Sequence, residues 1–270
     1  MTIKIEHLYA LLLILSSFCC MTAMGAVISR RHAVGAGALI AIFGALSAWS
    51  ATYAFHWVAQ EPRWKYFWLN MTYFGVVMVP AILFIFALRY TGKDGWLRAP
   101  VLALFSIEPI AVLILVWSDP WHGWFFAGKR ALTDSTILEG GLLFWLHVVY
   151  SYGLLLAATG ILLTNALRSP RFYRWQVLVF VAGLLLPWLI NVLSVAKLTP
   201  WQNLDVTPIV FTFTAMVILY DMFGWRMLDI LPIARHLLVE NLDEGVLVLD
   251  NQNRVVDFNP SARQIYASSQ

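Results

Sequence analysis

The chain has 270 residues, of which 60% are hydrophobic, 15% aromatic and 12% charged, with a net charge of +3. A soluble domain carries about 25% charged residues, so this chain has too few charges to cover a water-soluble core. The composition therefore excludes an ordinary soluble domain and predicts a multi-span helical membrane protein. The two cysteines, Cys19 and Cys20, are adjacent, which excludes a disulfide framework and a cysteine-based zinc site.

Seven apolar runs are long enough to cross a bilayer, which takes about 20 helical residues. Lipid offers no hydrogen-bond partner to the backbone, so each run is expected to be a helix. The predicted fold is an all-α bundle of seven transmembrane helices, followed by a short α/β tail. The spans are predicted at 8–28, 34–57, 66–88, 98–117, 142–166, 175–196 and 206–224.

Basic residues cluster on one side of these spans, and they predict the orientation of the chain. They follow spans one, three, five and seven, as Arg30, Arg31, Arg89, Lys93, Arg98, Arg168, Arg171, Arg174, Arg226 and Arg235. Because Lys and Arg near a span favour the cytoplasmic side, the N-terminus is expected outside and the C-terminus in the cytoplasm, with the chain in the inner (plasma) membrane. The longest outer loop, 118–141, carries Phe125 and Phe126 and is a candidate lid over the bundle.

Polar side chains within the spans are candidates for a ligand site, since they are costly in lipid and often mark function. Most of them fall in the outer half of the bundle. The candidates are Tyr53, His56, Asn70, Tyr73, Glu108, His147, Tyr150, Asn191 and Thr212. Glu108 lies near the middle of span four, and the interior of the spans holds no Lys or Arg to pair with it, since Arg98 lies at the very start of span four. We therefore expect Glu108 to be neutral or hydrogen-bonded to a Tyr, Asn or His.

Three other uses of these residues are weighed against a receptor. Glu108 is a candidate proton-coupled carboxyl in a small-molecule transporter or channel, although the spans show no clear repeat. A membrane enzyme would work through His56, His147 and Glu108. A haem or metal pair of His56 with His147 is the least favoured, because the histidines are scattered and a metal site needs clustered ligands. No cofactor and no metal site are predicted.

The tail after span seven has a different pattern. Apolar residues at near-heptad spacing over 229–242, Leu237 among them, predict an amphipathic helix with Pro232 in its first turn, within a linker over 226–242. Two β-rich runs, 245–250 and 254–258, flank an Asn-rich turn and predict a hairpin. Asn259 and Pro260 then predict the start of another helix, because Asn is a good N-cap and Pro a good first residue.

The stretch NLDEGVLVLDNQNRVVDFNPSARQIY (241–266) resembles the beginning of a PAS domain, with the Asp-Glu-Gly, the strand ending in Asp250 and the Asn259-Pro260 pair carrying the likeness. The seven-span part is similar to the N-terminal seven-helix domain of bacterial and archaeal sensor histidine kinases, on FALRYTGKDGWL (86–97), Glu108-Pro109 and the junction at 229–250. Together the two resemblances cover nearly the whole chain.

The resemblance implies a receptor that is not itself an enzyme. It implies a sensor over 1–225, a signalling linker over 226–242 and the start of a PAS domain over 243–270. The output domain in that family is usually a histidine kinase and sometimes a diguanylate cyclase. The implied partners are the lipid bilayer, a small-molecule or lipid ligand, a second copy of the chain in a homodimer, and a response regulator. Nucleic acid is not an implied partner.

Signal transfer is expected to pass through the last span. A ligand or membrane signal in the outer half of the bundle has to bind two packings with different affinity, since otherwise it shifts no equilibrium. The change would move span seven, with bends at Pro208 and Gly224, and would then shift the linker helix that carries Pro232 and Leu237.

Overall fold

A computed structural model of the chain describes residues 5–126, 140–168, 171–196, 198, 204–224, 242–249 and 255–268. The chain divides into two compact units, Met1–Met227 and Leu228–Gln270. Helices form the larger unit, with one 3-10 turn at Asp94–Trp96. They are α1 (Ile5–Ile28), α2 (Ala36–Val58), α3 (Pro62–Val76), α4 (Met78–Tyr90), α5 (Ala99–His122), α6 (Leu142–Arg168), α7 (Arg171–Val195) and α8 (Thr207–Gly224).

The described helices confirm a membrane protein. Six helical stretches in the described ranges are long and apolar enough to cross a bilayer, with α3 and α4 taken together as Pro62–Tyr90. They correspond to the first six predicted spans. The seventh predicted span is a helix too, but its described apolar part, Thr207–Val217, is shorter than the others, so its crossing stays a prediction.

The third predicted span, 66–88, is not one uninterrupted helix. It is divided at Val77 into α3 and α4, and Pro80 gives the physical reason. Proline has no N–H to donate to the carbonyl of Val76, four residues earlier, and its ring crowds that carbonyl. Val77 itself keeps a helical conformation, with φ −71° and ψ −24°, so the interruption is confined to one residue.

Serine pairs join α1 to α2 inside the bundle. Ser17 and Ser47 are hydrogen-bonded through their hydroxyls at 2.9 Å, and the Ser17 hydroxyl also lies 3.0 Å from the Ser47 carbonyl. The Ser16 hydroxyl donates to the carbonyl of Pro208 on α8 at 2.6 Å. Small polar residues let helices approach closely in a membrane and supply hydrogen bonds between them, so these serines fix α1 against two neighbours.

Helix α3 comes still closer to α2, at Gly75. A Cβ on Gly75 would lie 2.5 Å from the Ala45 carbonyl oxygen and 2.6 Å from the Trp49 Cβ. Only glycine fits such a distance, because both neighbours belong to the α2 backbone or its first side-chain atom. This contact places Trp49 of α2 next to α3.

Pro187 within α7 leaves a carbonyl free to accept a hydrogen bond from α8. Pro187 cannot donate to the carbonyl of Gly183, four residues earlier. The Thr214 hydroxyl on α8 donates to that carbonyl at 2.5 Å. A proline within a span frees a carbonyl, and here a side chain of the next helix satisfies the freed group, as the lipid cannot.

The smaller unit contains a hairpin and a helix. Strands β1 (Leu247–Leu249) and β2 (Val255–Phe258) are antiparallel, with a register irregularity between Val248 and Leu249, and helix α9 (Pro260–Ser268) follows. These elements confirm the predicted hairpin and the helix start at Asn259-Pro260. The predicted linker helix, with Pro232 and Leu237, lies outside the described residues except for its last residue, Leu242.

Asn259 holds the smaller unit together. Its Oδ1 accepts hydrogen bonds from the Ala262 N–H at 2.9 Å and from the Val246 N–H at 2.8 Å. The first of these is the N-cap bond that the sequence predicts for α9. Its Nδ2 donates to the Glu244 carbonyl at 2.8 Å. One buried side chain thus ties the start of α9 to the segment before β1.

Candidate functional site

The helices of the larger unit enclose a cavity of about 120 Å³. Its walls come from α2, α3, α4, α6, α7 and α8 and from the turn before α8. The polar residues that line it are Tyr53, Thr72, Tyr73, His147, Ser151, Tyr152, Asn191, Ser194, Asp205 and Thr207. The apolar ones are Trp49, Val76, Val79, Pro80, Phe144, Val148, Leu155, Pro187, Trp188, Val195, Leu204 and Phe211.

The cavity lies toward one end of the bundle. It uses the C-terminal parts of α2 and α7 and the N-terminal parts of α6 and α8. Because successive spans run in alternating directions, these parts meet at the end where α1 begins. Tyr9 on α1 supports this, since its hydroxyl donates to the carbonyl of Asp205, just before α8.

Glu108 on α5 reaches the cavity wall through His147. A hydrogen bond of 2.5 Å joins Glu108 Oε1 to His147 Nδ1, and the two side chains are 20% and 6% exposed. The Ser151 hydroxyl lies 3.5 Å from the same ring nitrogen. The sequence predicts that Glu108 is hydrogen-bonded to a Tyr, Asn or His, and the structure confirms this with His147. Glu108 Oε2 is buried and has no hydrogen-bond partner among the described residues.

A chain of hydrogen bonds runs along the cavity from α6 through α7 to α8. The Tyr152 hydroxyl donates to Asn191 Oδ1 at 2.9 Å, and Asn191 Nδ2 donates to the Thr207 hydroxyl at 3.2 Å. The Thr207 N–H in turn donates to Asp205 Oδ1 at 3.0 Å. An aspartate that accepts from the backbone two residues later stabilises a turn, so Asp205 sets the start of α8 and lines the cavity at once.

The carboxyl of Asp205 lies in an apolar, tyrosine-rich corner. Burial raises its pKa above the ordinary value, while the two hydrogen bonds from Thr207 act in the opposite direction and are outweighed. The neighbouring ionisable side chains are Tyr9, Tyr53 and Tyr152. No Lys or Arg is among the described residues that line the cavity.

Four of the predicted ligand residues line the cavity, namely Tyr53, Tyr73, His147 and Asn191, and Glu108 contacts it through His147. The remaining four are not among the described lining residues. His56 is hydrogen-bonded through Nδ1 to the Lys65 carbonyl at 2.8 Å and so links α2 to α3. Asn70 is fully buried on α3, and Thr212 has a buried hydroxyl without a hydrogen-bond partner in the described part of the chain.

Tyr150 faces α5, where its hydroxyl donates to the Phe105 carbonyl at 3.3 Å. Pro109, four residues after Phe105, has no N–H to occupy that carbonyl. Tyr150 therefore satisfies a carbonyl freed by proline, which is a packing role on the side of α6 away from the cavity-lining Tyr152. Residues of α6 at 147, 148, 151, 152 and 155 line the cavity, at the spacing of one helix face.

The sequence-based search missed six polar lining residues: Thr72, Ser151, Tyr152, Ser194, Asp205 and Thr207. Asp205 precedes the predicted seventh span, so a prediction confined to polar residues within the spans does not include it. Its sequence, Asp205-Val-Thr-Pro208 ahead of an apolar run, is typical of a helix start and was a usable signal. The helical spacing of His147 and Ser151 was the signal for the α6 residues.

Two phenylalanines from the beginning of the loop after α5 pack against residues that line the cavity. The N–H groups of Phe125 and Phe126 donate to Asp119 Oδ1 at 2.9 and 3.2 Å. Both rings are buried and pack edge-on against Tyr73, and Phe125 also contacts Phe144. The described start of this loop thus folds into the bundle, and 127–139, the rest of the candidate lid, lies outside the described residues.

The predicted signal-coupling residues that the structure describes lie on α8. Pro208 is in the first turn, where proline is tolerated, so it does not kink the helix. Gly224 is the last residue of α8. The described residues hold no cluster of three or more His, Cys, Asp or Glu that suits a metal ion.

Comparison with known proteins gives a family match over most of the chain. The family model described as the N-terminal 7TM region of histidine kinase matches residues 12–232. No curated protein and no solved structure matches the chain. The matched range takes in α2 to α8 and most of α1, which is the part of the chain that forms the cavity. The chain therefore belongs to the family of N-terminal seven-transmembrane regions of histidine kinases.

Proposed function

We propose that this chain recognises a small molecule in the cavity and reports its binding through α8. Family membership supports a sensor role in a histidine kinase, and the sensor region of such a protein is not itself catalytic. The observation that carries the proposal is the hydrogen-bonded chain from Tyr152 through Asn191 to Thr207. It places groups that a ligand would contact on the first turn of the helix that leads out of the bundle.

A ligand in this cavity has a physical route to α8. A molecule that hydrogen-bonds Asn191 or Thr207 competes with the link between them, so it favours a packing in which α7 and α8 are separated differently. Since a ligand shifts an equilibrium only by its differential affinity for two states, this competition is the required difference. The hydrogen bond from the Thr214 hydroxyl to the Gly183 carbonyl is a second contact between α7 and α8, and a changed packing of these helices would alter it as well.

The remaining steps are proposed from the sequence. The cavity end is taken as the outer side, because the loops at the opposite end carry most of the basic residues. Beyond Gly224, a linker over 226–242 would carry the change across a homodimer to a PAS domain that begins at 243. A histidine kinase and its response regulator would follow. The hairpin and the Asn259-capped helix support the PAS proposal.

The test uses the natural protein that carries this sensor, in membrane vesicles, with autophosphorylation as the readout. Asn191→Leu removes both hydrogen bonds of the link and is expected to change the autophosphorylation rate while membrane insertion stays intact. Glu108→Gln is expected to do the same through His147, which lines the cavity. Thr164→Leu, on the exposed face of α6, is the matched control. Unchanged output from both cavity variants would overturn the cavity as the sensing site.

A further inference from the structure

We propose that the cavity binds a small organic cation, either an amine or a quaternary ammonium ion, between its aromatic rings and the carboxylate of Asp205. The inference rests on the proposed function, since it names the chemical class of ligand for the same cavity. Its support comes from the charge, the aromatic lining and the size of the cavity.

The charge of the lining favours a cation. Asp205 is the one acid among the described lining residues, and none of them is Lys or Arg. His147 is the one histidine among the described lining residues, and its ring is hydrogen-bonded to Glu108. An anionic ligand would therefore meet a carboxylate that has no Lys or Arg beside it. A cation would instead supply the positive charge that neutralises this carboxylate.

The aromatic rings give a cation a second kind of partner. Tyr152 and Trp188 lie side by side with their centroids 5.6 Å apart, and Trp49 and Phe211 form a similar pair at 6.0 Å. All four line the cavity, as does Tyr53. An ammonium group within about 6 Å of a ring centroid is attracted by the electrons of the ring face, and tryptophan is the strongest partner. Several rings around one site hold a trimethylammonium group without any hydrogen-bond donor on the ligand.

The volume fits a molecule of a few heavy atoms. A cavity needs only about 10–15 Å³ to hold one water, so a cavity of about 120 Å³ has room for several waters or one small ligand. A molecule with the dimensions of choline is of this size. A long acyl chain or a nucleotide is much larger than the cavity.

Choline is the probe for the test, and its neutral carbon analogue is the comparison. The analogue has the same shape, with a tert-butyl group in place of the trimethylammonium group. The purified chain is placed in lipid nanodiscs, and binding is measured by titration calorimetry. We expect choline to bind at least about tenfold more tightly than the analogue, a difference of about 1.4 kcal/mol. Methylammonium serves as a smaller cation of the amine class.

Asp205→Asn is expected to remove the preference for choline over the analogue. Asparagine also accepts the Thr207 N–H in such a turn, so the start of α8 is retained. Asp243→Asn, which changes an exposed acid of the smaller unit, is the matched control and is expected to leave the preference intact. If Asp205→Asn does not fold, Trp188→Leu and Trp188→Phe replace it, with at least a fivefold loss of choline affinity expected for Leu over Phe.

The outcomes are separable from those of the proposed function. Equal or tighter binding of the neutral analogue would overturn the cation, and so would the lack of binding by choline and methylammonium alike. A preference that survives Asp205→Asn and Trp188→Leu would overturn the assignment to this cavity. Each of these results leaves the autophosphorylation test of Asn191→Leu to decide whether the cavity senses a ligand at all.

Discussion

Glu108 on α5 and His147 on α6 are joined by a 2.5 Å hydrogen bond between Oε1 and Nδ1. His147 lines the cavity and Glu108 does not, so the bond couples a helix outside the cavity to its wall. Little else polar connects α5 to α6 in the described ranges, apart from the bond of Tyr150 to the Phe105 carbonyl. The pair is therefore a determinant of how α5 is placed.

The first prediction concerns the energy of this pair. Glu108→Leu leaves the His147 imidazole without its partner, and His147→Leu strands the carboxyl, so each single variant is expected to cost about 1–3 kcal/mol of unfolding free energy. The double variant should cost less than the sum, with a coupling energy of about 0.5–3 kcal/mol. Unfolding by denaturant in detergent micelles measures all three. A coupling indistinguishable from zero would show that the contact contributes nothing.

Ser106→Ala is the control for the first prediction. Ser106 is exposed on α5, and its hydroxyl donates to the Leu102 carbonyl of the same helix. Its removal is expected to change the unfolding free energy by less than about 0.5 kcal/mol.

The second prediction links Tyr150 to Pro109. Tyr150→Phe removes the donor for the Phe105 carbonyl and is expected to cost about 0.5–2 kcal/mol, the range measured for hydrogen bonds between membrane helices. In a Pro109→Ala background the helix N–H occupies that carbonyl, so the same change should cost close to nothing. The measurement is again unfolding in micelles. An equal cost in both backgrounds would mean that the carbonyl freed by proline is not the reason for the bond.

The sequence predicted the helices well and the cavity only in part. Apolar runs of spanning length determine α1, α2, α5, α6 and α7, because lipid leaves the backbone no alternative to a helix. Hydropathy gives the third span as one continuous apolar run, and only Pro80 indicates that the helix is interrupted there. Helix ends were misjudged by a few residues, since hydropathy does not distinguish a helix that stops at the membrane surface from one that continues beyond it.

The cavity residues were harder to predict than the spans. Periodicity identifies the faces of a helix, but it does not show which other helix packs against each face. Tyr150 and Tyr152 are equally polar and only two residues apart, yet one faces α5 and the other Asn191 on α7. Which face turns inward depends on contacts between distant segments, such as the glycine at 75 against α2. Asp205 was overlooked because the search was limited to the spans.

The third prediction tests the contact between α2 and α3. Gly75→Ala puts a methyl group 2.5 Å from the Ala45 carbonyl oxygen, so the two helices must separate, at an expected cost of about 1–3 kcal/mol. The thermal midpoint in micelles should fall accordingly. Gly160→Ala on α6 is the matched control, since nothing lies within 4 Å of its added Cβ. Similar midpoints for the two variants would contradict the close contact.

The fourth prediction concerns Asn259 in the smaller unit. Asn259→Ala removes the acceptor for the Ala262 and Val246 amides, and loss of such a cap costs about 1 kcal/mol. Hydrogen exchange at these two amides is expected to accelerate. Asn259→Asp keeps the acceptor but loses the Nδ2 donor to the Glu244 carbonyl, so protection of both amides should fall between that of the natural chain and that of Asn259→Ala, while Arg263→Ala, an exposed change, should alter neither. Protection that persists in Asn259→Ala would show that other groups hold the turn.

The fifth prediction is a pH dependence of choline binding, and it follows from the carboxyl of Asp205. Burial raises the pKa of this carboxyl above its ordinary value, so protonation begins at a higher pH than for an exposed aspartate. Only the ionised form attracts a cation. Affinity for choline is therefore expected to be full above the raised pKa and to be lost as the pH falls through it. A bound cation favours the ionised form, so binding lowers the pKa and releases protons on the acid side.

The other titratable groups near Asp205 separate its effect from theirs. Tyr9 on α1, Tyr53 on α2 and Tyr152 on α6 surround it, and a tyrosine, with an ordinary pKa of about 10, is neutral throughout the acid range. His147 lies in the same cavity and is paired with Glu108. Calorimetric titrations of the natural chain, Asp205→Asn and His147→Gln across the acid range assign the effect. A pH dependence that persists in Asp205→Asn and disappears in His147→Gln would transfer it to the imidazole, because the carboxyl would then have no part in the loss of affinity.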